Sequence, residues 1–336
     1  MASRPARDTS EDETIPGHGR AIGSLGNVGL VGLGNVGLQY AQHLLKASDV
    51  LTVYDRDADK MQPLIAIGAA SSGCSRELAA ASDIVVLALP SPQAVQAEMY
   101  GDAGILAAGR DGCLIIDMST IDPDTSSRLY TEAKARGYHY LEAPMSGGEP
   151  GGAGQAGARA GTVTFMVGGD RESFERAKPI FEVLGRHAIY LGPAGAGNTI
   201  KLISNLIAGL NMAAAAEGIV LGAAAGISHE TLLQVFQHTD AKSYTMFEEL
   251  APHLRANDYE GGFPVDLMHK DHRLAAELGH RYGVPLLFNQ LALEVYQICR
   301  SQGYGRKSHS MVVEVLAKLA GVDLFNKGNN GETAVR

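Results

Sequence analysis

Lys201 lies one turn into a stretch that reads as a long helix, Gly195-Ala-Gly-Asn198-Thr-Ile-Lys201-Leu-Ile-Ser204-Asn205. Lys201, Ser204 and Asn205 fall at i, i+3 and i+4, so three polar side chains share one helical face. Their neighbours Ile200, Leu202, Ile203 and Leu206 are apolar. A lysine in such surroundings either snorkels its ammonium to water or is held in a pocket, where burial lowers its pKa toward the range useful for proton transfer. Glycines and Asn198 open the helix, where an acceptor for the free N–H groups is favoured.

A second group of residues sits near the start of the chain. A buried strand from Val28 to Leu33 runs into Gly32-Leu33-Gly34-Asn35-Val36-Gly37, followed by an amphipathic stretch, Leu38 to Ala47, and a strand, Val50 to Tyr54, ending in Asp55. This is a dinucleotide-binding arrangement. The first glycine makes the tight turn, the second admits the pyrophosphate to the backbone, and the third lets helix and strand approach closely. Asp55 stands where a carboxylate bonds the adenosine ribose, and Arg56 beside it can stack on adenine or meet a 2′-phosphate. The hexapeptide Leu25-Gly-Asn-Val-Gly-Leu30 repeats as Leu33-Gly-Asn-Val-Gly-Leu38. Only the second copy has a strand before it and a helix after it, so the loop belongs there.

Open parallel sheets bind ligands outside the carboxyl ends of their strands. Leu89-Pro90 ends one candidate strand, Asp117-Met-Ser119-Thr120 another, and Ala143-Pro-Met-Ser146-Gly147-Gly148 a third. A serine before two glycines offers a hydroxyl and backbone N–H groups in a concave turn, a seat for an anion. Further along, Lys270 and Asp271 lie on an amphipathic helix. His269 and His272 there sit at i and i+3, but no further ligand follows at metal spacing, so no metal site is expected.

Elements that position these groups can be read from the pattern. Strand candidates are Asp83–Leu89, Cys113–Asp117, Tyr138–Glu142, Thr162–Val167 and His187–Tyr190, mostly separated by helices, which predicts a largely parallel sheet covered on both faces. After Gly192 helical periodicity takes over, over 197–225, 229–238, 244–254, 265–282, 286–302 and 309–320. The expected fold is an α/β Rossmann-type doubly wound sheet followed by an all-α domain. The boundaries are 1–24 for a disordered extension, 25–192 for the dinucleotide domain, 193–325 for the helical substrate and oligomerisation domain (193–226 being the interdomain helix) and 326–336 for a flexible tail. The first of those helices is alanine-rich and apolar all round, which predicts burial on every side, between domains or between subunits.

The chain has 336 residues, enough for two domains, and 37 acidic against 28 basic residues give a net charge of −9. That balance argues against nucleic acid and anionic membranes as partners. Cys74, Cys113 and Cys299 lie far apart with no paired framework, which fits a reducing cytoplasm. No apolar run reads as a membrane span, and the first 24 residues lack the apolar core of a secretory signal.

Taken in order, Gly32-x-Gly34-x-x-Gly37, Asp117-x-Ser119-Thr120, Ala143-Pro-x-Ser146-Gly147-Gly148, Lys201-x-x-Ser204-Asn205 and Lys270-Asp271 resemble the β-hydroxyacid dehydrogenase family over about Val28 to Ala320. Its members include 3-hydroxyisobutyrate dehydrogenase and tartronate semialdehyde reductase, and Glu149-Pro150 with Gly195-Ala-Gly-Asn198 look most like the latter branch. The resemblance implies a metal-independent oxidoreductase moving hydride between NAD, or NADP, and a small 3-hydroxy acid or its semialdehyde. It places the cofactor on Gly32, Leu33, Gly34, Asn35, Val36, Asp55, Arg56, Leu89, Pro90, Thr120 and Lys270. The substrate carboxylate would lie on Ser119, Ser146, Gly147, Gly148 and Lys270, with Asn205 orienting the hydroxyl and Lys201 as general acid and base. The apolar surface of the first long helix, more than one helical domain can cover, leads us to expect a homodimer or homotetramer. Departures cluster at Glu142, where the family usually has Asp, at Met145, in the long glycine-rich segment after Gly148, and at His272, which replaces a leucine. An imine reductase and a non-enzymatic dinucleotide sensor share this fold, but both are expected to lack the lysine.

Overall fold

A computed structural model describes residues 24–147 and 154–325. The N-terminal extension, Gly148 with most of the glycine-rich segment that follows, and the C-terminal tail lie outside the described residues. Strands and helices alternate first: β1 (Asn27–Val31), α1 (Asn35–Ala47), β2 (Val50–Tyr54), α2 (Gln62–Ile65), β3 (Ala70–Ser71), α3 (Ser75–Ala80), β4 (Ile84–Leu87), α4 (Pro92–Met99), β5 (Leu114–Asp117), α5 (Pro123–Ala135), β6 (His139–Glu142), β7 (Met145–Ser146), α6 (Gln155–Ala160), β8 (Val163–Gly169), α7 (Arg171–Leu184) and β9 (Gly185–Tyr190). The chain is helical from there: α8 (Ala196–Ala224), α9 (His229–Phe236), a π-helical turn running into α10 (Ala251–Ala256), α11 (Val265–Tyr282), α12 (Leu287–Ser301) and α13 (Val312–Ala320).

The sheet order is β3-β2-β1-β4-β5-β6-β8-β7, with β9 beside β8. Strands β1 to β6 pair in parallel, whereas β8 joins β6 and β7 antiparallel. The sheet is therefore mixed, not parallel throughout. Period-two alternation sends Val28, Leu30, Val86 and Ile116 into one core and Val31, Val85, Leu87 and Ile115 into another, so both faces are covered by helices. The two short strands β3 and β7, two residues each, carry too little periodicity to be read from sequence.

Packing divides the chain into two compact units. The first contains the strands and ends at Lys201; the second begins at Leu202 and, apart from a short piece ending at Ala156, is the helical remainder. The core of the second unit gathers around Met212, Ala216, Ile219, Leu250, Val265, Tyr296 and Val312. One expectation about α8 needs correction: by length and composition it is apolar enough to cross a membrane, although its fully buried Met212, Ala216 and Ile219 belong to that core. In the single chain Ile200, Ile203, Ile207 and Leu221 are exposed along one of its faces.

Candidate active site

The site in the first unit is built by strand register. Val31 pairs with Tyr54 and Leu87, Leu87 with Asp117, and Asp117 with Glu142, so the carboxyl ends of five parallel strands share one row. Everything that follows these residues, from Gly32 to Asp55, Leu89 and Ser119, emerges at one edge. Gly32 turns there with φ +94°, and a Cβ would meet the Ala88 carbonyl oxygen at 2.5 Å. Gly37 packs still more tightly, since a Cβ would lie 1.9 Å from the Gly32 carbonyl oxygen. Gly34, by contrast, faces open space.

Gly34 precedes α1 with no side-chain cap, and the first turn of α1 carries no acidic residue. Exposed Gly34 and Asn35 and half-buried Val36 thus present a helix N-terminus open to an anion. Asp55 is tied to the loop itself: Leu33 N–H donates to its Oδ2 at 2.7 Å and Asp57 N–H to its Oδ1 at 2.9 Å. A glycine turn, an uncapped helix start and an adjacent fixed carboxylate fit a dinucleotide.

Leu89, Ser119 and Asp117 form the next layer. Ser119 is buried, its hydroxyl accepting from the Leu89 N–H at 2.9 Å, and its own N–H donates to Asp117 Oδ1 at 2.9 Å. The Ser119 hydroxyl thus helps lock the ends of β4 and β5 together by accepting, which leaves its own O–H as a donor. Asp117 also accepts from the Tyr140 hydroxyl, and burial pushes its carboxyl up to about 6. Thr120 is half-buried beside it, and Pro90 is exposed. Ser146 closes β7 opposite Thr164 and is half-buried; Gly147 follows, exposed, at φ +78°.

Lys201 is 7% exposed. The residue that fixes its helix is Glu142, which reads in the sequence only as a departure. Fully buried, its carboxylate accepts from the Gly197 N–H at 2.8 Å and from Asn198 Nδ2 at 2.9 Å. Burial raises its pKa, opposed by these hydrogen bonds. Asn198 is not the cap that its position suggested. It lies inside α8, accepts from the Ile121 N–H at 3.0 Å and donates to Ser126, binding the helix start to the end of β5. Glu142 instead supplies the acceptor that the first helical turn lacks. Its only sequence signal is a carboxylate ending a buried strand.

In the second unit Asn205, buried, donates through Nδ2 to Asp271 Oδ2, and Lys270 Nζ lies 3.2 Å from Asp271 Oδ1. Asp271 thereby holds two of the candidate substrate residues, a role not assigned from sequence. His272 is fully buried, its Nδ1 2.7 Å from Asn289 Oδ1, and burial lowers its pKa. Its ring fills the space a side chain at Gly209 would need, with Nε2 2.0 Å from the position of a Cβ there. His272 is thus a packing residue against α8.

Residues 27–192 match the family described as the NAD binding domain of 6-phosphogluconate dehydrogenase. Residues 195–316 match the one described as NAD-binding of NADP-dependent 3-hydroxyisobutyrate dehydrogenase. The chain is 35% identical over 297 residues to 2-(hydroxymethyl)glutarate dehydrogenase of Eubacterium barkeri, covering 88% of this chain and 97% of that one. The chain belongs to the β-hydroxyacid dehydrogenase family. Within that family it is also 35% identical to NAD-dependent L-serine dehydrogenase of Pseudomonas aeruginosa, over 85% of this chain and 96% of that one. Among solved structures, a Mycobacterium tuberculosis 3-hydroxyisobutyrate dehydrogenase with L-serine aligns with TM-score 0.77 and 29% identity, over 86% of this chain and 98% of that one. As a β-hydroxyacid dehydrogenase the chain is an NAD(P)-dependent oxidoreductase of the 3-hydroxyacid type.

Proposed function

We propose that this enzyme interconverts a small 3-hydroxy acid and its semialdehyde, with Lys201 as general acid and base and NAD as the preferred dinucleotide. The observation that carries the reading is Lys201 itself, an almost wholly buried lysine on a helix pinned at its start by Glu142 and Asn198. Burial disfavours the ammonium and so suits a lysine to proton transfer. In oxidation Lys201 takes the hydroxyl proton while hydride leaves the same carbon; in reduction it returns the proton to the new alkoxide. Bound nicotinamide supplies or accepts the hydride.

Ser119, Ser146, the Gly147 and Gly148 backbone and Lys270 would hold the substrate carboxylate, and Asn205, steadied by Asp271, would orient the hydroxyl. The relatives support a substrate bearing both groups: one is named for 2-(hydroxymethyl)glutarate and one for L-serine. The second is also named as NAD-dependent, and Asp55 favours the same choice, because its carboxylate suits free ribose hydroxyls and repels a 2′-phosphate. Lys201 weighs against imine reduction and against a purely sensing role. A homodimer or homotetramer through the helical unit completes the reading.

The test is a panel of 3-hydroxy acids (3-hydroxyisobutyrate, L-serine, glycerate and a three-carbon sulfonate) with each dinucleotide, followed by nicotinamide absorbance. General acid–base catalysis is worth about 10²–10⁴-fold, so Lys201→Ala should lower kcat by that much while dinucleotide affinity stays near wild type. A tenth of wild-type kcat in that variant would exclude Lys201 as the proton-transfer group.

A further inference from the structure

The stretch after β2, Asp55-Arg56-Asp57-Ala-Asp59-Lys60, alternates charges where the adenosine ribose of a dinucleotide is expected. Arg56 is its natural phosphate ligand, since a guanidinium meets phosphate oxygens with paired donors. In this chain the arginine is already engaged. Its Nε donates to Glu98 Oε1 at 2.8 Å, and the other Glu98 oxygen accepts from the Ser75 hydroxyl. The two side chains are unlike: Arg56 is 63% exposed, whereas Glu98, on α4, is 8% exposed.

An exposed ion pair is usually worth little, because two mobile side chains must be ordered in high dielectric. Here the carboxylate is largely buried and also accepts from Ser75 at the start of α3, so it has less freedom to lose than a surface acid. Mainly the arginine has to be ordered, and the pairing neutralises it beside Asp55, Asp57 and Asp59. Lys60, the other cation of the stretch, lies 3.6 Å from Asp55. A 2′-phosphate would therefore meet carboxylates and a guanidinium already compensated.

We propose that Glu98 is a positioning residue that sets dinucleotide choice: by gripping Arg56 through Nε it withholds that side chain from a 2′-phosphate and biases the enzyme to NAD. The proposal deepens the NAD reading and rests on it. Specificity is then partly repulsive, built from acids around the ribose, and partly the removal of an available cation.

The experiment is a kinetic cycle of Glu98→Gln, Arg56→Gln and the double variant, read as the ratio of kcat/KM with NADP to that with NAD. Glutamine keeps the shape and an acceptor for Ser75 but removes the charge. Glu98→Gln should raise the ratio by about tenfold or more, the low end for one hydrogen bond to a charged group. The gain should vanish in the double variant, because it acts through Arg56. Ser75→Ala, which loosens Glu98 without disturbing its charge, should move the ratio the same way by about threefold and serves if the glutamine variant folds poorly. A ratio within twofold of wild type in both Glu98→Gln and Ser75→Ala, or a gain that survives loss of Arg56, overturns the proposal. Asp55→Asn in parallel tests the underlying reading separately, since it should raise the ratio whatever Glu98 does.

Discussion

At the scale of single residues, the site relies on carboxylates in places where carboxylates are costly. Asp117 and Glu142 end adjacent strands fully buried, and each offsets its desolvation by accepting hydrogen bonds from a segment that must be held still. Asp117 holds the Ser119 backbone, and Glu142 holds the start of the helix that carries Lys201. These carboxylates leave a pH signature. The Asp117 carboxyl sits at about 6 in the folded chain against an ordinary 3.8, so between those values the folded state keeps a proton the unfolded state has lost. Stability contributed in this way falls as pH rises through that window, and Glu142, also raised, adds the same sign. Asp117→Asn should therefore flatten the decline in the urea unfolding midpoint between about pH 4 and pH 6. An unchanged slope would show that another group carries it.

At the scale of elements, the turn from β1 into α1 separates two jobs that one glycine motif performs. Gly37 is a packing residue, with backbone oxygen where its Cβ would be, whereas Gly34 borders open space. Gly37→Ala must push α1 away from the loop, at a cost of about 1–3 kcal/mol for overpacking, and should lower both the melting temperature and dinucleotide affinity. Gly34→Ala should leave the melting temperature within a degree or so and weaken dinucleotide binding about tenfold or more, because the methyl group stands where a pyrophosphate approaches. Thermal unfolding and dinucleotide titration of both variants check the contrast. If Gly34→Ala bound dinucleotide like wild type, the phosphates would have to lie elsewhere.

At the scale of the whole molecule, the exposed apolar face of α8 is the feature a single chain leaves unresolved. Ile200, Ile203, Ile207 and Leu221 lie along it, and Leu287, Phe288 and Leu291 are 65–73% exposed on α12. Covering such faces with a second copy removes them from water at about 25 cal/mol per Å², and two-fold pairing is the commonest arrangement. The expected species in light scattering at micromolar concentration is a dimer or a tetramer of dimers. A catalytically active monomer of 35.3 kDa would rule out that assembly as a requirement for activity.

The elements and their motifs were legible in the sequence because each depends on neighbours a few residues away. Apolar runs gave the strands of the sheet, a 3.6-residue period gave α8, α11 and α12, and three glycines between a strand and a helix marked the dinucleotide turn. Lys201 and Asn205 were legible for the same reason, being one turn apart on a single helix. What the tertiary structure decided were the partners. Ser119 turns out to hold Leu89, thirty positions away. Glu142 anchors Gly197 and Asn198, and Glu98 grips Arg56, across separations of 42 to 56 residues. His272 packs against Gly209 and pairs with Asn289, and β8 enters the sheet antiparallel. None of these has a local period. A buried polar group takes whichever partner the packed chain brings within hydrogen-bond reach, and that proximity exists only after distant segments have folded together.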